Sequence, residues 1–289
     1  MSSGASAGHV AAPTGSSSGG EVAANDAPQS IFNFVSVATV QTPFRDRRGT
    51  PRQGSVAPLS RGTVVFHPHI VSPAALDNLQ QFSHAWVLFV FHENTNARGL
   101  EGKKGAGRPT TFRAKISPPR LGGPKVGVFS TRSPHRPNPI GLTMVRILGV
   151  QGHHLHVSGL DLVDGTPVLD VKPVVPYDVP DGLAVPEWVL EGDKERRRVT
   201  WSRAAQLALH ALFERRGARA SRFYDNPQAL SEAAAQVLAQ DIRGVHQGRG
   251  SASDGGGCGG AAYECVFDGL RLLFVHADGA VIVQDVVVA

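Results

Sequence analysis

Cysteine is nearly missing: Cys258 and Cys265 are the only two in 289 residues. Two thiols build neither a disulfide framework nor a four-cysteine structural zinc site, so a reducing compartment is the expectation. Long apolar runs are missing too. None approaches the roughly 20 residues of a membrane-spanning helix, and no membrane partner is expected. The first 30 residues contain no Lys or Arg. That excludes the basic start of a secretory signal and the Arg-rich pattern of a mitochondrial presequence. These residues are mostly Ala, Gly, Ser and Pro, and 1–30 is expected to be a disordered tail of a cytoplasmic or nuclear protein. GxSxG occurs only at Gly4–Gly8 and Gly15–Gly19, inside this Gly/Ser-rich stretch with no strand or helix pattern around it, which leaves a Ser-His-Asp hydrolase unsupported.

What is abundant is glycine, with 33 residues, and proline, with 20. Both interrupt helices, which argues against an all-helical bundle. Apolar alternation predicts strands over Ile31–Val40, Arg61–Phe66, Val126–Phe129, Ile140–Val150, Leu155–Leu160 and Val168–Val171. The continuous run Trp86–Phe91 predicts a buried strand. Ser72 followed by Pro73 predicts a helix start, with the helix running to about Phe82. Residues 93–124 lack periodicity and are expected to be loop. Many short strands with one helix imply a mainly β fold, an antiparallel sheet that closes or sandwiches. After Pro180 the pattern changes. Helical spacing over Trp201–Arg215, an Asn226-Pro227 start of a helix reaching Asp241, and Asp-Gly turns at 268–269 and 278–279 predict a smaller C-terminal α+β domain over 181–289. The Gly/Ser-rich stretch 248–260 is expected to be a disordered loop within it.

The net charge of +5 is unevenly placed. Residues 93–136 hold ten Lys or Arg against two Glu, and residues 45–61 hold five Arg against one Asp. These two loop segments carry +12, so the remainder of the chain sums to −7. A local positive field on loops suits a polyanion such as RNA, although a charge run is also an ordinary solvated surface. Here the arginines sit among Pro and Gly in rigid loops, where a fixed guanidinium fork recognises carboxylate or phosphate.

Gly127-Val128-Phe129-Ser130-Thr131-Arg132-Ser133 and Arg136-Pro137-Asn138-Pro139-Ile140-Gly141 resemble the signature of the TrmO family. These are S-adenosylmethionine (SAM)-dependent tRNA N6-adenine methyltransferases built on a β-barrel. TPFRDRRGTPRQ (42–53), FSHAWVLFVFH (82–92) and GLDLVDGTPVLDVKP (159–173) are similar to further family motifs in the same order. VLAQDIRG (237–244) is similar to a C-terminal element in which Ile242 replaces a proline. The resemblance is dense over 31–180 and looser over 220–289. It implies a closed β-barrel SAM-binding domain over 31–180 and a homodimer whose second subunit completes the SAM site. It also implies methyl transfer to N6 of threonylcarbamoyl-adenosine at position 37, in the anticodon loop of threonine tRNA.

Carried over motif by motif, the resemblance assigns SAM contacts to Gln53, Gly54, Ser55 and Val56, and to His92, Glu93 and Asn94. It adds Arg132, Leu142, and the run Ser158, Gly159, Leu160 and Asp161. The basic loops assign tRNA contacts to Arg45, Arg47 and Arg48, to Lys103, Lys104 and Arg120, and to Arg136. The C-terminal element adds Asp241 and Arg243, for which a helix C-terminus is an equal explanation. The stretch after Glu93 is longer and more basic than in bacterial members and would extend the tRNA contact.

Each residue also has a plainer reading. Gly122, Gly123, Gly127 and Gly141 either admit a ligand close to the backbone or simply turn the chain. Arg132 and Arg136 hold a SAM carboxylate or tRNA phosphate, or else satisfy loop carbonyls. Asn138 is expected to staple the loop through its amide. Asp164-Gly165 reads as a turn, which leaves Asp161 as the better ligand. His92 is the one weak candidate for a catalytic base, and an acylated N6 is acidic enough to need none. The pairs His67/His69 and His154/His156 can chelate on one strand face, but no carboxylate or Cys stands beside them, and no metal is expected. A Rossmann-type methyltransferase is disfavoured, because Gly105-Ala106-Gly107 lies in a basic loop and the glycines of 255–260 follow no strand. The alternative to an enzyme is a catalytically silent tRNA-binding protein on the same fold.

Overall fold

The computed structural model describes residues 32–47, 49–93, 114–118, 121, 123–191, 196–240, 242, 262–277 and 279–289. The expected tail 1–30 and loop 248–260 lie outside them. Val35–Ala289 is one compact unit; of Met1–Phe34 only residues 32–34 are described, and Phe32 and Phe34 are exposed.

Six strands close a barrel: β1 (Ala38–Gln41), β2 (Arg61–Phe66), β3 (His84–Val90), β6 (Ile140–Gln151), β7 (His154–Ser158) and β8 (Pro167–Pro173). The order around it is β1-β2-β7-β6-β3-β8, and every pairing is antiparallel. Between β3 and β6 a two-stranded ribbon pairs β4 (Lys115–Ile116) with β5 (Val126–Gly127). Period-two alternation fills the barrel from one face of each strand. Val40, Val64, Val87, Val145, Leu155 and Val168 are completely buried there. The opposite face of β6 is unusual, because Ile140, Leu142, Met144 and Leu148 all point outward and stay exposed.

Five expectations for this part of the chain are corrected. The loop expected over 93–124 contains a strand, β4, held by its pairing with β5. The first strand begins at Ala38, not Ile31: the last backbone bonds are those of Val37, to the Val168 carbonyl at 2.8 Å and from the His67 N–H at 3.0 Å, and before it Ser36 turns its hydroxyl onto the Ala38 carbonyl at 2.8 Å. The helix expected from Pro73 is two short 3₁₀ turns, Pro73–Leu76 and Leu79–Gln81. Asn78 between them is left-handed, with φ 65°, and a left-handed residue ends a helix. The run at Trp86 is not buried on both faces. Ala85, Val87 and Phe89 point inward, while Trp86 points outward and its indole N–H donates to Asp178 at 2.9 Å. The strand expected at Val126–Phe129 stops at Gly127 and continues as a 3₁₀ turn, Val128–Ser130.

The C-terminal lobe follows a short helix, α1 (Glu187–Glu191). It contains β9 (Arg198–Trp201), α2 (Arg203–Arg216), α3 (Pro227–Leu238), β10 (Tyr263–Phe267), β11 (Leu270–Ala277) and β12 (Ala280–Val288). Its sheet order is β10-β11-β12-β9, with β9 parallel to β12. The reading of Trp201 as helical misses β9. Ser202 is the N-cap, accepting the Ala205 N–H at 3.0 Å, so Trp201 is the last strand residue. Asn226 caps α3 as expected, accepting the Ala229 N–H at 2.8 Å. Asp268 and Gly269 both have positive φ, the requirement of a two-residue hairpin turn.

The lobes share a core. Phe44 and Ala57, from barrel loops, are buried in the C-terminal cluster, and the Phe44 ring meets Phe267 edge-on at 5.8 Å. The Asp268 N–H donates to the Pro43 carbonyl at 3.0 Å. No helix among the described residues is long and apolar enough to cross a membrane.

Candidate functional site

Three segments converge at one end of the barrel. The loop from β1 to β2 ends in a 3₁₀ turn, Gly54–Val56, begun by Gln53. The chain leaving β7 bends at Gly159, with φ 72°. Ser60, fully buried, joins them: its carbonyl accepts the Gly159 N–H at 2.9 Å, and its hydroxyl lies 2.7 Å from the Ala57 carbonyl and 2.8 Å from that of Leu160. The fit is close. A Cβ on Gly54 would lie 2.9 Å from the Gly159 carbonyl carbon and overlap its oxygen.

Asp161 sits where these segments meet β6. Leu160 and Leu162 on either side are buried in the barrel core. Burial pushes the Asp161 carboxyl above the usual carboxylate range. Opposing that shift are hydrogen bonds from the Thr143 hydroxyl, its own N–H and the Gly54 N–H, and the positive charge of Arg132. Its Oδ1 is buried and has no hydrogen-bond partner. An orphaned acceptor beside a close backbone approach suits a ligand that brings its own donor, such as a hydroxyl or an amino group.

The other expected SAM contacts gather at the same end. The Phe91 N–H donates to the Pro139 carbonyl at 2.8 Å, so His92 and Glu93 leave β3 beside the start of β6, close in sequence to Leu142. His92 is exposed. Ser55 is exposed, Val56 and Ser158 are buried, and Leu142 lies on the outer face of β6. Asn94 falls outside the described residues.

Arg132 and Arg136 separate into different roles. Arg132 is exposed and its charge is felt at Asp161. Arg136 holds its own loop: Nη1 donates to the Thr131 carbonyl at 2.7 Å and to that of Val128 at 3.4 Å, and the guanidinium lies 5.4 Å from the Phe129 ring centre. The loop is stapled by Arg136 and the Thr131 hydroxyl, which donates to Val128 at 2.7 Å. Asn138 contributes only its backbone carbonyl to Ile140, a correction to its expected role. Gly141 serves the barrel, since a Cβ there would overlap the Phe89 ring.

Of the expected tRNA contacts, Arg45 and Arg47 are exposed in the β1–β2 loop. Arg48, Lys103, Lys104, Arg120, Asp241 and Arg243 lie outside the described residues, as does Gly122. The histidine pairs stack, with ring centres 5.7 Å apart for His67/His69 and 6.4 Å for His154/His156. No group of three or more potential ligands among the described residues could hold a metal ion.

Two polar residues of the site were missed. Thr143 is a buried polar residue in the inward-facing row of β6, and a polar residue in an apolar row is the informative signal. Ser60 gives no comparable signal, because the partners that join the two segments, Gly159 and Leu160, are backbone groups about 100 residues away.

Residues 39–178 match the family model for the tRNA-methyltransferase O N-terminal domain. The tRNA (adenine(37)-N6)-methyltransferase of Mus musculus is 43% identical over 152 residues, covering 52% of this chain and 32% of that one. The chain thus spans about a third of the mammalian relative's length. A Pseudomonas aeruginosa protein named "Putative S-adenosylmethionine-dependent methyltransferase RcsF" is 38% identical over 217 residues, covering 73% of this chain and 81% of its own. The crystal structure of TrmO from Pseudomonas aeruginosa superposes with a TM-score of 0.65 at 28% identity, covering 89% of this chain and 99% of that one.

Proposed function

The chain belongs to the TrmO family, and from that premise we propose that it is a SAM-dependent methyltransferase acting on N6 of threonylcarbamoyl-adenosine 37 of threonine tRNA. The observation that carries the reading is Asp161, a half-buried residue whose Oδ1 is buried and unpartnered at one end of the barrel. The residues present fit the cofactor. Gly54 and Gly159 let two backbone segments pack closely beside Asp161, Asp161 offers an acceptor to a ribose hydroxyl or an amino group, and exposed Arg132 offers a carboxylate partner. SAM, when bound, supplies an electrophilic methyl group on a positively charged sulfur.

What the chain must do is align N6 with that group. Holding two reactants in line lowers the barrier by about 7–11 kcal/mol. The rigid Thr131–Arg136 loop and the pinned Gly54–Val56 turn supply such alignment. The N6 proton is made more acidic by the neighbouring carbonyl, so it leaves to water or to exposed His92 without a dedicated buried base.

A homodimer belongs to the proposal. Ile140, Leu142 and Met144 form an exposed apolar row on β6 beside the site, 39%, 44% and 45% exposed, which a second copy would cover. The test is calorimetric titration of the purified chain with SAM. Micromolar binding that is lost in D161A supports the reading, and no binding at millimolar SAM rejects it in favour of a silent tRNA-binding protein.

A further inference from the structure

Two hollows in the C-terminal lobe flank one ridge, Ser221–Phe223. The first, of about 550 Å³, lies between this lobe and the barrel loops. Arg45, Arg216, Arg219 and Arg222 line it, against Asp164 and Asp268. None of the four guanidiniums forms an ion pair within 4 Å among the described residues, although the charge of Arg222 acts on Asp268. The carboxylates are already engaged: Asp164 accepts the Thr42 N–H at 2.8 Å, and Asp268 accepts the Ser221 hydroxyl and the Arg222 N–H. A helix C-terminus accounts for Arg216 in the last turn of α2. The same explanation extends to Arg219, at the end of the 3₁₀ turn Gly217–Arg219, but not to Arg222 or to Arg45 arriving from the barrel.

The second hollow, of about 690 Å³, is lined by Phe213, Phe223, Tyr224 and His210. Phe223 is half-buried, and the Arg222 guanidinium lies 5.5 Å from its ring centre. The ridge is held in place beforehand. Ser221 Oγ accepts the Phe223 and Tyr224 N–H groups at 3.2 and 2.8 Å. Arg61, on β2, donates to the Phe223 carbonyl at 3.4 Å and pairs with Asp225 at 3.2 Å. The Tyr224 hydroxyl donates to the Leu59 carbonyl at 3.3 Å and accepts the Arg61 N–H at 3.1 Å.

We infer that this ridge is a single-nucleotide binding site for RNA, with a backbone phosphate among the arginines and an unstacked base against Phe223. Proteins read single-stranded RNA with this combination, a guanidinium cluster for the phosphate and an aromatic face for the base. A pre-set ridge lowers the ordering cost of binding. The identity of the RNA as tRNA rests on the proposed function. The site itself does not, and it shares no residue with the cluster around Asp161.

The test uses the full chain, threonine tRNA as probe, and adenosine monophosphate as a second probe. R216E/R219E is expected to weaken tRNA binding at least tenfold and to flatten the dependence of log K on log salt by about two. F223A is expected to weaken binding roughly fivefold or more with the salt slope unchanged, because base stacking is not ionic. F223W should restore it. SAM affinity and Tm should hold throughout. Wild-type tRNA affinity and salt slope in both variants would overturn the inference. So would an F223W as weak as F223A with a lowered Tm, which makes Phe223 structural. Loss of adenosine monophosphate binding with tRNA binding intact would overturn the RNA source in favour of a free nucleotide. A wild type that binds tRNA this way but transfers no methyl would support the site while defeating the proposed function.

Discussion

Replacing Gly54 by Ala probes packing and cofactor binding together. The added methyl would lie 2.9 Å from the Gly159 carbonyl carbon and overlap its oxygen. Carbon atoms pack best at about 3.5–4.0 Å, so the shortfall is roughly 0.6 Å or more. The obstacle is main chain, with no flexible side-chain end to swing away. Gly159 is itself held by the Ser60 carbonyl at 2.9 Å. Overpacking of this kind costs about 1–3 kcal/mol, which for a unit of this size lowers Tm by roughly 3–10 °C. Any shift of Gly54 also moves its N–H away from Asp161. G54A should therefore unfold earlier in a thermal melt and bind SAM at least tenfold more weakly by calorimetry. Gly149, with nothing within 4 Å of an added Cβ, is the control, and G149A should match wild type in both measurements. A G54A protein with wild-type Tm and SAM affinity would refute the reasoning.

Other outcomes follow from the same geometry. The folded Asp161 carboxyl has its pKa raised above 3.8, so above about pH 4 the folded state holds a proton that the unfolded chain has released, and stability falls as pH rises through that window. D161N removes this cost: its Tm at neutral pH should equal or exceed wild type, the advantage vanishing below about pH 4, while SAM affinity drops. R132A should weaken SAM binding without changing Tm, whereas R136A should loosen the loop and lower Tm, since Arg136 satisfies two loop carbonyls. Y224F leaves the Leu59 carbonyl and the Arg61 N–H without their partner and should cost about 1–3 kcal/mol in denaturant unfolding with SAM affinity unchanged.

Local pattern made the barrel strands legible, because an inward apolar row repeats every second residue. β2 was read to the residue, and β6 and β8 to within two at either end. Barrel closure was legible only through family motifs, since β2 beside β7 joins residues nearly 100 positions apart. Ser72-Pro73 gave a sound start signal and the wrong length, because a left-handed Asn78 is not written in the residue type. In the site, the motifs located Gly54 and Asp161 but not Thr143, whose role depends on its closeness to Asp161, 18 residues along the chain. The arginines of the C-terminal ridge went unremarked because Arg45 joins Arg216, Arg219 and Arg222 only once the lobes pack.

The most direct test of the central claim is nucleoside mass spectrometry of threonine tRNA incubated with the purified chain and SAM, with and without the threonylcarbamoyl group. The expected result is a mass gain of one methyl on the threonylcarbamoyl-adenosine alone. An unchanged nucleoside profile from a protein that binds both SAM and tRNA would contradict it.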